Sequence, residues 1–125
     1  MTGRQLSAME ALAAAMSEDD LLVSVTCGTR AKPGLCKLLG LLYFHVHDSR
    51  RSPSGFPDLL IAGPGAILFA ELKTQRGRVS PAQKEWIAAL ESAGQSVFLW
   101  RPVNFLSGEI QRELAAIAKP GRRAA

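Results

Sequence analysis

Long apolar runs, cysteine and histidine are all scarce in this chain of 125 residues. No uninterrupted apolar stretch approaches the ~18 residues needed to cross a bilayer. The first residues, MTGRQ, lack the apolar segment of a secretory leader, so the chain is expected in the cytoplasm. Cys27 and Cys36 are too few for a disulfide scaffold and read as free thiols in a reducing compartment. With His45 and His47 they would make four zinc ligands, but the spacing matches no familiar ribbon or finger. The apolar fraction of 47% is that of an ordinary globular protein and argues against disorder. The length suits one domain with a real core, expected over residues 1–118, followed by a basic, disordered tail over 119–125. A net charge of +4 is a mild basic excess, compatible with a polyanionic partner. Its distribution says more: Arg50, Arg51, Lys73, Arg76 and Arg78 cluster around the middle of the chain.

Residues 4–16 combine strong helix formers with apolar Leu6, Met9, Leu12, Ala13 and Met16. Ser17 with Asp20 forms an S-x-x-[DE] capping box, so a second helix is expected from Glu18. The breaker-rich TCGTRAKPG at 26–34 predicts a loop or broken helix, followed by a helical turn at 35–39 ending at Gly40. Residues 41–47 (LLYFHVH) read as a strand, with Tyr43, His45 and His47 on the face that meets solvent or a cleft. Ser80, Pro81 and Gln83 supply an N-cap, a proline at the first helical position and a capping-box partner. The helix they start carries apolar Trp86, Ile87, Leu90 and Ala93 and stops at Gly94. A buried strand at 96–100 ends at Arg101-Pro102, and a last helix spans 108–118. Trp86 and Trp100 both lie in apolar periodic patterns and read as core residues. This order describes an α/β domain with a mixed central β-sheet flanked by helices.

The densest signal lies at 55–73, where two apolar runs flank a Gly63-Pro64-Gly65 turn and are interrupted by Asp58, Glu71 and Lys73. A charge inside an apolar strand is costly without a partner or ligand. A hairpin loop of two or four residues sets Asp58 directly opposite Glu71. Glu71 and Lys73 share a face because side chains alternate along a strand. Two carboxylates and one ammonium then converge. Carboxylates from adjacent strands suit a hard cation such as Mg²⁺, and a lysine beside them suits an anionic phosphodiester and its attacking water.

Five stretches carry a family resemblance: HVHDSRRS (45–52), GFPDL (55–59), FAELKT (69–74), GRVSPAQ (77–83) and VFLWRP (97–102). In that order they resemble the PD-(D/E)XK nuclease superfamily, with its restriction-endonuclease-like core, and specifically a stand-alone VRR-NUC domain of phage or bacterial type. The resemblance implies a Mg²⁺- or Mn²⁺-dependent endonuclease, with one or two ions held by Asp58, Glu71 and the Leu72 carbonyl. Lys73 would orient or activate water, and Gln83 would match a glutamine beside the site, a role that competes with the capping box for its rotamer. A first-helix glutamate is matched by Glu18, with Glu10 as the alternative; the plainer reading of Glu18 is a charge suited to a helix N-terminus. The stretch from Glu18 to Gly40 is longer than the resemblance leads one to expect.

Arg50, Arg51, Arg76 and Arg78 are candidate phosphate contacts or ordinary surface charges. The implied substrate is branched DNA, four-way (Holliday) junctions above all, and cutting both strands of a junction calls for a homodimer. No membrane and no small organic cofactor is expected. The competing readings are a nucleic-acid-binding module of the same fold without catalysis, and a scaffold whose hairpin charges form a buried ion pair.

Overall fold

The computed structural model describes residues 3–46 and 52–120. Helix α1 (Gly3–Ala15) gives way to α2 (Glu18–Val25) at Ser17, whose hydroxyl accepts from the Asp20 N–H while the Asp20 carboxylate accepts from the Ser17 N–H, both at 3.0 Å. The TCGTRAKPG stretch folds back on itself through a Gly28–Pro33 bridge. Lys37 N–H then reaches the Thr26 carbonyl, so α3 (Leu35–Leu39) resumes close to where α2 stopped. The extra residues are thus a side excursion, which leaves the N-terminus of α2 free to point at the sheet.

Strands β1 (Leu42–His45), β2 (Leu59–Ala62), β3 (Ile67–Leu72) and β4 (Val97–Trp100) form one sheet in the order β1-β2-β3-β4. The first three are antiparallel neighbours, and β4 joins β3 in parallel after the crossover helix α4 (Pro81–Ser92). A four-residue turn, closed by Gly63 N–H to the Ala66 carbonyl at 3.0 Å, links β2 to β3. Its glycines are needed for contact: a Cβ on Gly63 would collide with the Ile117 carbonyl, and Gly65 N–H donates to that same oxygen at 3.1 Å. The end of α6 (Glu109–Ala118) therefore rests on the hairpin turn.

The core lies on one side of the sheet. Leu59, Ile61, Leu68, Ala70, Leu72 and Trp100 face Leu21 and Val25 of α2, Cys36 of α3 and Ile110 and Leu114 of α6. The Trp100 indole N–H donates to Glu113 at 3.1 Å, which satisfies its one polar atom. A short helix not expected from the sequence, α5 (Pro102–Leu106), precedes α6. Pro102 does end β4, but it does so as the first residue of a helix, with Asn104 Oδ1 accepting from the Arg101 N–H at 2.7 Å.

Helix α4 packs on the opposite face of the sheet, and none of its residues is fully buried. Trp86, expected in the core, is half-buried there. Strand β1 is exposed on both faces, with Tyr43 at 42% on the face expected to meet solvent or a cleft. Tyr43 and His45 align with the fully buried Ile61 and Leu59 on the core side, whereas Leu42 and Phe44 look out on the α4 side, 78% and 66% exposed. Among the described residues, no helix covers the outer face of this edge strand. His47, and the basic tail from 121 onward, lie outside the described residues. Among the described residues no helix is long and apolar enough to cross a membrane.

Candidate active site

The β2–β3 register pairs Leu59 with Ala70 and Leu60 with Phe69, so one step back Asp58 faces Glu71. The Leu72 N–H donates to Asp58 Oδ2 at 2.7 Å, fixing the aspartate against the neighbouring strand. Gly55 brings the preceding loop to α4: its φ is +100°, and a Cβ there would lie 2.5 Å from the Ala82 backbone. That approach seats buried Pro57 and places Asp58 beside the first turn of α4.

Glu71 is 2% exposed. Burial, then a carboxyl–carboxyl hydrogen bond with Asp58 and the Asp58 and Glu18 charges, push its pKa up to about 8, opposed by Lys73. With both carboxyls ionised neither can donate to the other, and Glu71 Oε2 has no hydrogen-bond partner. A shared proton satisfies the pair in part; a cation between them would satisfy both. This orphaned oxygen, in a two-carboxylate donor set, fits a hard divalent ion.

Gln83 resolves the competition anticipated for it. Its Oε1 accepts from the Ser80 N–H at 2.8 Å, its own N–H donates to Ser80 Oγ at 3.1 Å, and its Nε2 donates to Glu71 Oε1 at 3.0 Å. One rotamer serves both roles because the side-chain amide is bifunctional. The Ser80 N–H requires the oxygen, which leaves the NH₂ for the glutamate. The cap thus aims a donor into the site.

Lys73 is half-buried, with its stem beside Gly77. Glu18, at the first position of α2, is close enough for its charge to act on Glu71, yet among the described residues no three His, Cys, Asp or Glu side chains form one metal-binding cluster. Glu10 instead lines a separate cavity with Gln75 and Arg76. Between the two candidate glutamates the α2 N-terminus is the one that addresses the site. The Cys36 thiol is buried in the core and pushed up to about 11 by that burial, the wrong direction for a zinc thiolate. Arg76 and Arg78 are exposed on the loop after Lys73; Arg50 and Arg51 lie outside the described residues.

That loop has an organiser that sequence reasoning passed over. Arg101 Nη1 donates to the carbonyls of Thr74 at 2.8 Å, Gln75 at 3.3 Å and Gly77 at 2.7 Å. Gln75 Oε1 in turn accepts from the Val103 N–H at 3.0 Å. The only signal was an arginine closing an apolar strand, since its partners lie 24 to 27 residues away.

The sequence matches the VRR-NUC domain over residues 12–103. The chain belongs to the VRR-NUC domain family. A solved structure described as a VRR_NUC domain protein shares the fold, with a TM-score of 0.58 at 21% identity, covering 86% of this chain and 93% of that one. No curated protein sequence matches significantly. Membership suggests a nuclease-type function with DNA as substrate, and Asp58, Glu71, Lys73 and Gln83, the residues singled out from the sequence, meet on one patch at the mouth of the β2–β3 hairpin.

Proposed function

We propose that this VRR-NUC chain is a divalent-metal-dependent endodeoxyribonuclease acting on branched DNA, with four-way junctions as its leading substrate. The observation that carries the reading is the Asp58–Glu71 pair, with its buried unpartnered oxygen, next to Lys73. Asp58 and Glu71 would hold Mg²⁺ or Mn²⁺, with the Leu72 carbonyl and Glu18 as further candidates. A bound ion supplies Lewis-acid polarisation of the phosphate and a more acidic water. With a cation held between the pair, Glu71 would be ionised, its proton released to solvent. Gln83 keeps Glu71 Oε1 oriented, and the Leu72 N–H keeps Asp58 in place. Lys73 places a compact positive charge beside the attacking water and the charge that develops on phosphate. Arg50, Arg51, Arg76 and Arg78 are proposed to grip the backbone. One site cuts one strand, so paired cuts across a junction call for a two-fold homodimer.

Purified protein incubated with linear duplex, flap and four-way-junction DNA in Mg²⁺, Mn²⁺ or EDTA, beside Glu71→Ala, tests this. Cleavage of the junction in metal, absent from EDTA and from the variant, is expected. Cleavage that survives either would sink the metal mechanism. Binding without cleavage in any metal would instead identify a non-catalytic binding module.

A further inference from the structure

We propose that the aromatic-walled cavity beside Asp58 receives an unpaired nucleobase of the substrate strand, with Trp86 as its stacking surface. The cavity, about 500 Å³, is walled by Phe44, Val46, Phe56, Asp58, Gln83 and Trp86. Two of these, Asp58 and Gln83, belong to the candidate active site, so a base seated here is part of a nucleotide at or next to the scissile phosphate. The inference rests on the nuclease reading for its ligand class.

Three features set the cavity apart from a packing defect. Trp86 is held without being fully buried: Phe56 meets it edge-to-face at 5.0 Å and 75°, and Phe56 is held by Phe69 at 5.8 Å and 86°. A large aromatic ring is therefore fixed in orientation yet only half-buried, on a helix that fully buries none of its residues. The facing wall carries Phe44, itself 66% exposed. Finally, the polar side chains of the lining are Ser52, Ser54, the Asp58 carboxylate, which accepts from the Leu72 N–H, and the Gln83 amide, already committed to Ser80 and Glu71. Such a lining offers π-faces and little hydrogen-bond code, which selects for an unstacked base of any identity. A base inside a duplex is stacked above and below and must be extruded at a cost, whereas a base at a branch point or flap is already free. The pocket would thereby convert unpairing near the cut into preference for branched DNA.

The test uses the full chain and DNA carrying a single 2-aminopurine at an unpaired position beside a branch point, or at the matching paired position of a linear duplex. In EDTA, wild-type protein is expected to quench the unpaired probe and not the paired one; Trp86→Ala loses the quench and Trp86→Phe keeps most of it. In Mg²⁺ or Mn²⁺, the ratio of branched to duplex cleavage should fall about tenfold in Trp86→Ala, the scale of losing one stacked base. Replacing the unpaired base with an abasic residue should produce a similar fall for the wild-type protein, an arm that does not depend on the variant folding. An unchanged ratio with the abasic substrate, or a quench that persists in folded Trp86→Ala, overturns the pocket. The two readings fail separately: quenching without cleavage in any metal leaves the base site and removes the nuclease, and cleavage without quenching does the reverse.

Discussion

Replacing Glu71 with glutamine should make the metal-free protein more stable while abolishing cleavage. Glu71 has an ordinary carboxyl pKa of 4.5 in the unfolded chain and about 8 in the fold. Between those values the unfolded chain has released its proton and the native state retains it, so native stability falls as pH rises from about 4.5 to 8. At pH 7 the difference amounts to about 3 kcal/mol. Glutamine is isosteric and uncharged, its oxygen can still accept from Gln83 Nε2, and its NH₂ can donate to Asp58. Glu71→Gln should therefore gain about 1–3 kcal/mol at pH 7, more at pH 8.5 and little near pH 4.5. For a chain of this size that is roughly 4–12 °C in melting temperature. Thermal unfolding in EDTA at pH 5, 7 and 8.5 measures the effect. Mn²⁺ in hundredfold excess over its Kd should then add about 2.7 kcal/mol to the wild type and little to the variant. A variant less stable than wild type at pH 8.5, or one with the same pH dependence, would refute the account of Glu71 as a destabilised, cation-seeking carboxylate.

The two roles of Gln83 can be separated. Gln83→Ala should lose both the cap and the Glu71 contact, costing about 1 kcal/mol of stability together with activity. Gln83→Glu keeps an acceptor for the Ser80 N–H but sets a third carboxylate against Glu71. It should stay folded by circular dichroism and melt near the wild type, yet cleave poorly; full activity would show that the amide donor is dispensable. Arg101→Met should release the carbonyls of Thr74, Gln75 and Gly77. Faster hydrogen exchange confined to residues 74–78, with weaker DNA binding and an intact core, is the expected result, and unchanged exchange there would remove the clamp.

Much of the architecture is written in short-range signals. The two capping boxes, the Gly40 and Gly94 stops and the hairpin register each depend on a few consecutive residues and on a side-chain period of two, so they could be read before any fold was known. Setting Asp58 opposite Glu71 needed only the length of a turn. Helix α5 escaped because Pro102 is equally good at ending a strand and at starting a helix, and nothing local chooses between them. On β1, alternation shows which side chains share a face, but only the packed helices decide how far each face is covered.

The sequence by itself determined the secondary elements apart from α5, their order and the set of charges on the central hairpin, because propensity, capping and strand period act within a few residues. Only the tertiary structure decided that Glu71 is sealed from water with an unpartnered oxygen, that Gln83 reaches it from the next helix, that Arg101 ties down a loop two dozen residues away and that Trp86 lines a cavity beside Asp58 without being fully buried. Each of these is a matter of burial or pairing between distant segments, and burial is a property of the packed chain that no stretch of sequence possesses on its own.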